Sequence, residues 1–256
     1  MGMILKVAYD GTFYGGMAKQ PDLETIEGVF EKVIRDLGYR EKIRFLSRTD
    51  RGVHAVSQLI LLRGNDKNFV KVLSARLPFD IIIHSFSIVS ERFNLYRMAR
   101  NKVYLYIAPS FDENEELIRW GCEYISSGTH DFRGLSKRRN VIEETIMNVK
   151  IKFRSDDFFQ FFYVIGKSFL WEQVRRIVTS LKYLGLKKIS KGDFKHLLKG
   201  YYLKKGIPPA PAEGLILWNV EIDVDWLSIV PENFVRKYII EVAKKNAILH
   251  ANSWVI

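Results

Sequence analysis

Cysteine occurs once in the 256 residues, as Cys122. A lone thiol excludes an intrachain disulfide and any cysteine-cluster zinc site, and it fits a reducing compartment. No apolar run approaches the roughly 20 residues that a membrane-spanning helix needs. The first residues lack the layout of a secretory signal. A cytoplasmic protein without a membrane segment is therefore expected. The five histidines (His54, His84, His130, His196 and His250) are scattered, with no pair at metal-ligand spacing, so no metal is expected. There is no Walker-type glycine loop and no carboxylate cluster for Mg²⁺, which leaves a nuclease or phosphotransferase unsupported. Low-complexity tracts and repeats of solenoid period are also missing. Acidic residues are outnumbered: 29 Asp and Glu against 40 Lys and Arg give a formal net charge of +11. That balance favours a polyanionic partner, because neutralising phosphates releases counterions. The plainer alternative is charge that serves solubility only.

What is present is a mixed α/β pattern. Residues 3–9 (MILKVAY) read as a strand that ends at the turn Asp10-Gly11. Ile26, Val29, Phe30, Val33, Ile34 and Leu37 fall at helical spacing, and Gly38 stops that helix. Segments 43–47 and 55–63 are β-rich around a turn at 48–52. Further strands are read at 80–88 and 103–108. Ser110 and Glu113 have capping-box spacing before a helix carrying Leu117, Ile118 and Ile125. Strands follow at 145–154 and 158–165, then a helix at 168–184 stopped by Gly185, and another after Ser190. A strand at 214–222 follows the proline-rich stretch 208–211. A last amphipathic helix carries Phe234, Val235, Tyr238, Ile239 and Val242. Strands and helices do not alternate strictly, so a mixed, largely antiparallel sheet is expected. Residues 1–101 and 102–256 read as two α/β subdomains.

The segment Ser47-Arg48-Thr49-Asp50-Arg51-Gly52-Val53-His54-Ala55 puts two arginines, an aspartate and a histidine into one turn between apolar strands. Nearby positive charge keeps a carboxylate ionised, and an ionised, oriented carboxylate can act as nucleophile or base. The same letters are also ordinary turn chemistry, with Asp accepting backbone N–H groups. On the helix read at 168–184, Leu170, Val174, Ile177, Val178 and Leu181 share a face. Arg176 points roughly opposite, toward solvent. Arg175 sits on the flank, where its guanidinium can reach a buried acid or simply snorkel. Tyr104 and Tyr106 lie two apart on one strand and face the same side; one can stack on a nucleobase, though such pairs are more often core. Lys182, Lys187, Lys188, Lys191, Lys195, Lys199, Lys204 and Lys205 form a basic stretch opposed by Asp193 alone, and Lys137-Arg138-Arg139 form a second. Both suit phosphate contacts that carry no sequence information.

Several stretches match one known family in order. SRTDRGVHA at 47–55 resembles the GRTDAGVHA-type motif of TruA-type tRNA pseudouridine synthases. YDGTFYGG at 9–16 is similar to the family's opening YDGT-x-F-x-G, and Gln20 falls where its later glutamine does. LPFDI at 77–81 resembles LPxDI, KVYLY at 102–106 resembles K-x-Y-x-Y, and HDF at 130–132 resembles xDF. SFLWEQVRRIV at 168–178 is similar to the FLxxMVRxIV helix, and PAEGL at 211–215 to PAxGL. The matches run from about residue 4 to 222. Departures are Ser47 for glycine, Arg51 for alanine, Met17-Ala18 for Trp-Gln, Gln173 for methionine, and Tyr96 where arginine is frequent.

The resemblance implies a pseudouridine synthase fold: two similar α/β subdomains around a central sheet with a cleft, as a homodimer. It implies isomerisation of uridine in the anticodon stem-loop of tRNA (tRNA positions 38, 39 or 40) by base flipping, without cofactor or metal. By position, Asp50 inherits the role of essential aspartate. Arg48 inherits a place near the flipped nucleotide, Tyr104 that of the stacking tyrosine, and Arg175 that of the arginine paired with the aspartate. A non-catalytic RNA-binding protein on the same scaffold is the alternative, separable by whether any uridine is converted.

Overall fold

The computed structural model describes residues 1–39, 43–64, 66–137 and 144–254. In chain order the first elements are β1 (Gly2–Tyr9), α1 (Ile26–Asp36), β2 (Arg44–Phe45), β3 (His54–Arg63), α2 (Lys67–Arg76), β4 (Ile81–Val89) and α3 (Leu95–Met98). Then come β5 (Lys102–Pro109), α4 (Glu115–Ser126), β6 (Thr129–Asp131), β7 (Ile146–Asn148), β8 (Lys150–Ser155), β9 (Phe159–Gly166) and α5 (Gln173–Gly185). The last are α6 (Lys191–Leu197), β10 (Leu215–Val220), β11 (Leu227–Ser228) and α7 (Glu232–Leu249). The strands are largely antiparallel, as the mixed pattern predicts.

The chain divides into two compact units, one of Met1–Lys102 with Ile216–Ala243, the other of Val103–Leu215 with Lys244–Ile256. In the first, β1 pairs antiparallel with both β3 and β4, β2 pairs with β3, and β11 with β4. β10 joins β3 in parallel through Ile216 opposite His54 and Leu217 opposite Ala55. Every residue of β1 is buried, as expected of a central strand covered on both faces. α1 starts at Thr25, whose hydroxyl accepts the Gly28 N–H at 3.2 Å, a cap that satisfies a donor without a helical partner. α2 has no counterpart in the sequence reading: its apolar signal is the short set Phe69, Val70 and Leu73, started by the Asp66 cap.

In the second unit β8 and β9 form an antiparallel hairpin, and α4 packs on α5 and β8. α6 carries a full capping box between Ser190 and Asp193. Three local expectations are corrected here. The cap of α4 is Asn114, not Ser110: its side chain accepts the Leu117 N–H at 3.0 Å. Glu113 instead turns inward. The helix expected from 168 starts at Gln173, because Glu172 takes a left-handed conformation (φ 60°) and the Gln173 side chain accepts the Leu170 N–H at 2.7 Å. Arg176 does not point to solvent. It pairs with Glu172 and donates to the Ile207 carbonyl, since a long side chain on the helix flank satisfies an otherwise bare carbonyl of the following loop.

Candidate active site

The turn that carries Asp50 is held from both sides by backbone. Val53 N–H donates to the Asp50 carbonyl at 3.2 Å and closes it, with Gly52 at φ 82°. Gln58, fully buried on β3, grips the entry: its amide donates to the Ser47 carbonyl at 2.7 Å, while its oxygen accepts the Ser47 N–H at 3.1 Å and the Leu59 N–H at 3.2 Å. The loop after β1 wraps the other side. Met17 N–H donates to the Thr49 carbonyl at 3.0 Å, Gly11 N–H donates to His54 Nδ1 at 3.0 Å, and the Tyr9 hydroxyl meets Thr49 Oγ1 at 2.7 Å. His54 Nδ1 also lies 3.2 Å from Asp10 Oδ1, so the ring is held by the Gly11 backbone and the Asp10 side chain together. Burial pushes the Tyr9 phenol up to about 12, so it stays a neutral hydrogen-bonding partner.

Gly16 shows why the loop has glycine at this point. Its φ is +106°, and a Cβ there would lie 2.8 Å from the Thr49 carbonyl oxygen and 3.1 Å from the Arg51 nitrogen. The loop therefore runs against the backbone of Asp50 itself, at a distance that only glycine permits. The result is a carboxylate whose main chain is fixed while its side chain is half-buried, with Arg48 and Arg51 exposed beside it. Such a group is oriented in advance by its own main chain, with two arginines close to it in the chain.

The second unit places Tyr104 and Arg175. Tyr104 on β5 is buried and meets Phe169 edge-on, with ring centroids 5.2 Å apart. Phe169 is a site neighbour that residue spacing did not single out; its signal was the SFL that opens the matched helix segment. Arg175 on α5 donates Nε to the Ala210 carbonyl at 2.5 Å, and Ala210 N–H returns a bond to the Arg175 carbonyl at 3.3 Å. Side chain and backbone of Arg175 are both tied to the proline-rich segment at Ala210. The segment is fixed in turn by the Tyr106 hydroxyl, which donates to the Pro211 carbonyl at 2.8 Å. Tyr106 is thus core. At Gly214 a Cβ would lie 2.7 Å from the Ile107 carbonyl and 2.8 Å from the Tyr106 ring, so the PAEGL segment needs glycine for close approach.

A cavity of about 360 Å³ is lined by the same segment, with Arg175, Thr179, Tyr183, Pro208, His250 and Trp254 among its walls. Among the described residues no group of three or more His, Cys, Asp or Glu side chains could hold a metal ion.

The basic stretches divide. Lys187, Lys188, Lys191, Lys195, Lys199, Lys204 and Lys205 are exposed, with Lys191 and Lys195 over the Trp120 ring at 4.5 and 5.7 Å. Lys182 does not belong with them. Its side chain is 0% exposed and pairs with the equally buried Glu113, because it lies on the inward face of α5. Arg138 and Arg139 lie outside the described residues; Lys137 sits 3.8 Å over the Trp171 ring. Asp131 of the HDF segment serves the backbone, accepting the Arg133 N–H at 3.0 Å.

Comparison with known proteins decides what the arrangement belongs to. A family model described as tRNA pseudouridine synthase matches residues 126–223. A tRNA pseudouridine synthase A from Thermococcus sibiricus is 37% identical over 100% of this chain and 99% of its own length. The chain belongs to the tRNA pseudouridine synthase A family. Relatives of the same name from Pyrococcus furiosus and Pyrococcus horikoshii are each 36% identical, over 98% and 86% of this chain and 96% and 85% of their own. Family membership confirms the resemblance read from the seven ordered motifs and accounts for the mixed α/β architecture. Among the described residues no helix is long and apolar enough to cross a membrane.

Proposed function

We propose that this chain isomerises uridine to pseudouridine in the anticodon stem-loop of tRNA, with Asp50 as the reactive carboxylate. The observation that carries the reading is the Asp50 turn: a half-buried acid with clamped main chain and two exposed arginines, in a chain that aligns end to end with a tRNA pseudouridine synthase A. The reaction breaks the C1′–N1 bond, turns the base, forms C1′–C5 and moves the C5 proton to N1. It is redox-neutral and transfers nothing to a second molecule, so it needs no cofactor.

A paired nucleotide must first leave its stack, at a cost of a few kcal/mol. Arg48 is proposed to fill or hold the vacated space. Tyr104, stiffened by Phe169, packs on the everted ring. Arg175 is proposed as the family's arginine that partners the aspartate. Asp50 attacks C6 or C1′, or removes a ribose proton; all three require the same ionised oxygen. In this reading residues 1–101 supply the aspartate and residues 102–256 the tyrosine and arginine. The enzyme works as a cytoplasmic homodimer, and exposed lysines such as Lys191 and Lys195 hold phosphates.

The test is turnover of purified protein on unmodified tRNA, with and without Asp50→Asn. The variant is expected to lose conversion by a factor of 10³ or more, on the order of what removal of a covalent or general-base group costs, while still binding tRNA. Full turnover in Asp50→Asn overturns the assignment.

A further inference from the structure

Two phenylalanines stand almost wholly in solvent beside the Asp50 turn. Phe13 is 84% and Phe79 88% exposed, the highest values among the large apolar side chains of the described residues. Each lies in one of the matched motifs, Phe13 in YDGTFYGG and Phe79 in LPFDI, and each takes the variable position of that motif. The family pattern thus does not demand either ring; this chain supplies both.

Both rings are carried on fixed backbone. The Asp10 N–H donates to the Asp80 carbonyl at 3.0 Å, and the Tyr14 hydroxyl donates to the Asp80 carboxylate at 2.9 Å. The loop of Phe13 is therefore tied, on both sides of that residue, to the loop of Phe79. The Phe13 loop is also the one that wraps the Asp50 turn through Gly11–His54, Met17–Thr49 and the close pass of Gly16. Two rigidly mounted aromatic rings in water hold unfavourably hydrated apolar surface, and a planar apolar partner releases that water. A nucleobase is such a partner, and stacking on it does not depend on base identity.

We infer that Phe13 and Phe79 form a stacking platform for unpaired nucleobases that flank the target uridine. This rests on the reading of Asp50 as the carboxylate of a tRNA-modifying enzyme, and it names how that site holds its substrate. Base flipping leaves neighbouring bases with one face bare, and loop nucleotides have bare faces throughout. Rings at this position hold those bases while the uridine is turned. Phe13 and Phe79 act in substrate positioning; they carry no chemistry.

The experiment uses the full chain, Phe13→Ala, Phe79→Ala, the double variant, and Phe13→Trp as the conservative replacement. The substrate is an anticodon stem-loop RNA with 2-aminopurine next to the target uridine. Alanine substitution of a ring that stacks on a base weakens binding roughly ten- to a hundredfold. Each single variant is expected to raise KM by that factor and the double variant by more, with kcat lowered much less, and the double variant to lose the fluorescence quenching that stacking gives the wild type. Phe13→Trp is expected to keep it. Because both side chains are exposed, melting temperatures should not move. Unchanged KM and quenching in the double variant overturn the platform. So does a double variant that becomes monomeric while binding RNA normally, which would assign the rings to a second copy of the chain. Absence of uridine conversion by the wild type is a different result, and it overturns the function itself.

Discussion

Lys182→Met should destabilise this protein far more than a surface lysine would, and the reason lies in what it leaves behind. Lys182 Nζ pairs with Glu113, donates to the Pro109 carbonyl at 2.8 Å and to Gln160 Oε1 at 3.1 Å, and lies 4.9 and 5.1 Å from the Phe111 and Trp254 rings. Both side chains of the pair are fully buried. Burial pulls the Lys182 ammonium below its usual range, and the charge of Glu113 pulls it back up. In Lys182→Met the Glu113 carboxylate keeps only the Gln160 amide at 3.1 Å and the Phe111 N–H at 2.7 Å. Removing one partner of a buried pair costs about 3–5 kcal/mol, because the other charge stays buried without compensation. For a chain of this size that is a fall of about 10 °C in Tm. Lys182→Met/Glu113→Gln removes both charges and should recover more than half of the loss. The single variant should also gain stability on acidification from pH 7 toward 5. An uncompensated buried carboxyl has a raised pKa, so the folded state takes up a proton that the unfolded state does not. Calorimetry of the four members of this cycle, with α5 followed by far-ultraviolet dichroism, makes the measurement. Additive effects below about 1 kcal/mol for each single variant would refute the reasoning, since that is how an exposed pair behaves.

Gly16→Ala combines a positive φ with a Cβ 2.8 Å from the Thr49 carbonyl. It should lower stability by about 2–4 kcal/mol in urea unfolding, and turnover by more than folding alone explains, because the displaced backbone is that of Asp50; wild-type kinetics in the folded variant would contradict this. Acid should destabilise the chain in two stages. Burial lowers the pKa of His84, so the unfolded state gains a proton first, and stability declines as pH falls below about 6.5. Burial raises Glu232, but the Arg236 hydrogen bonds and Lys6 outweigh it and leave the carboxyl below its ordinary value; Asp10 is likewise held down against burial by its His54 and Thr12 contacts. Their contribution is present above the unfolded carboxylate range and is lost as pH falls below about 4.5. A Tm that is flat from pH 7 to 3 would exclude both stages.

Much of the candidate site was legible as letters because its polar side chains lie close together in sequence. The Asp50 turn is such a case: Arg48, Asp50, Gly52 and His54 sit within seven residues, and short-range turn geometry keeps them together whatever else the chain does. A helix with a strong apolar period, such as α1, was readable for a similar reason. α2 was not, since three buried residues in ten leave little periodic signal. Arg176 and Lys182 show the limit of helical-face arguments. Angular position says which way a side chain leaves the helix, but not which carbonyl or carboxylate waits there.

Sequence alone determined the family and the compartment-neutral facts of charge and thiol content, and singled out Asp50 as the candidate acid, because these depend on local order and composition. Tertiary structure alone decided three things. Segment 216–243 packs in the same compact unit as residues 1–102. Lys182 is an internal charge rather than a phosphate contact. The loops of Phe13 and Phe79, 66 positions apart, are joined through Asp80 to Asp10 and Tyr14. Each is a long-range pairing, and long-range pairings are selected by the free energy of the whole packed chain, in which burial and hydrogen bonding of distant segments outweigh any local preference.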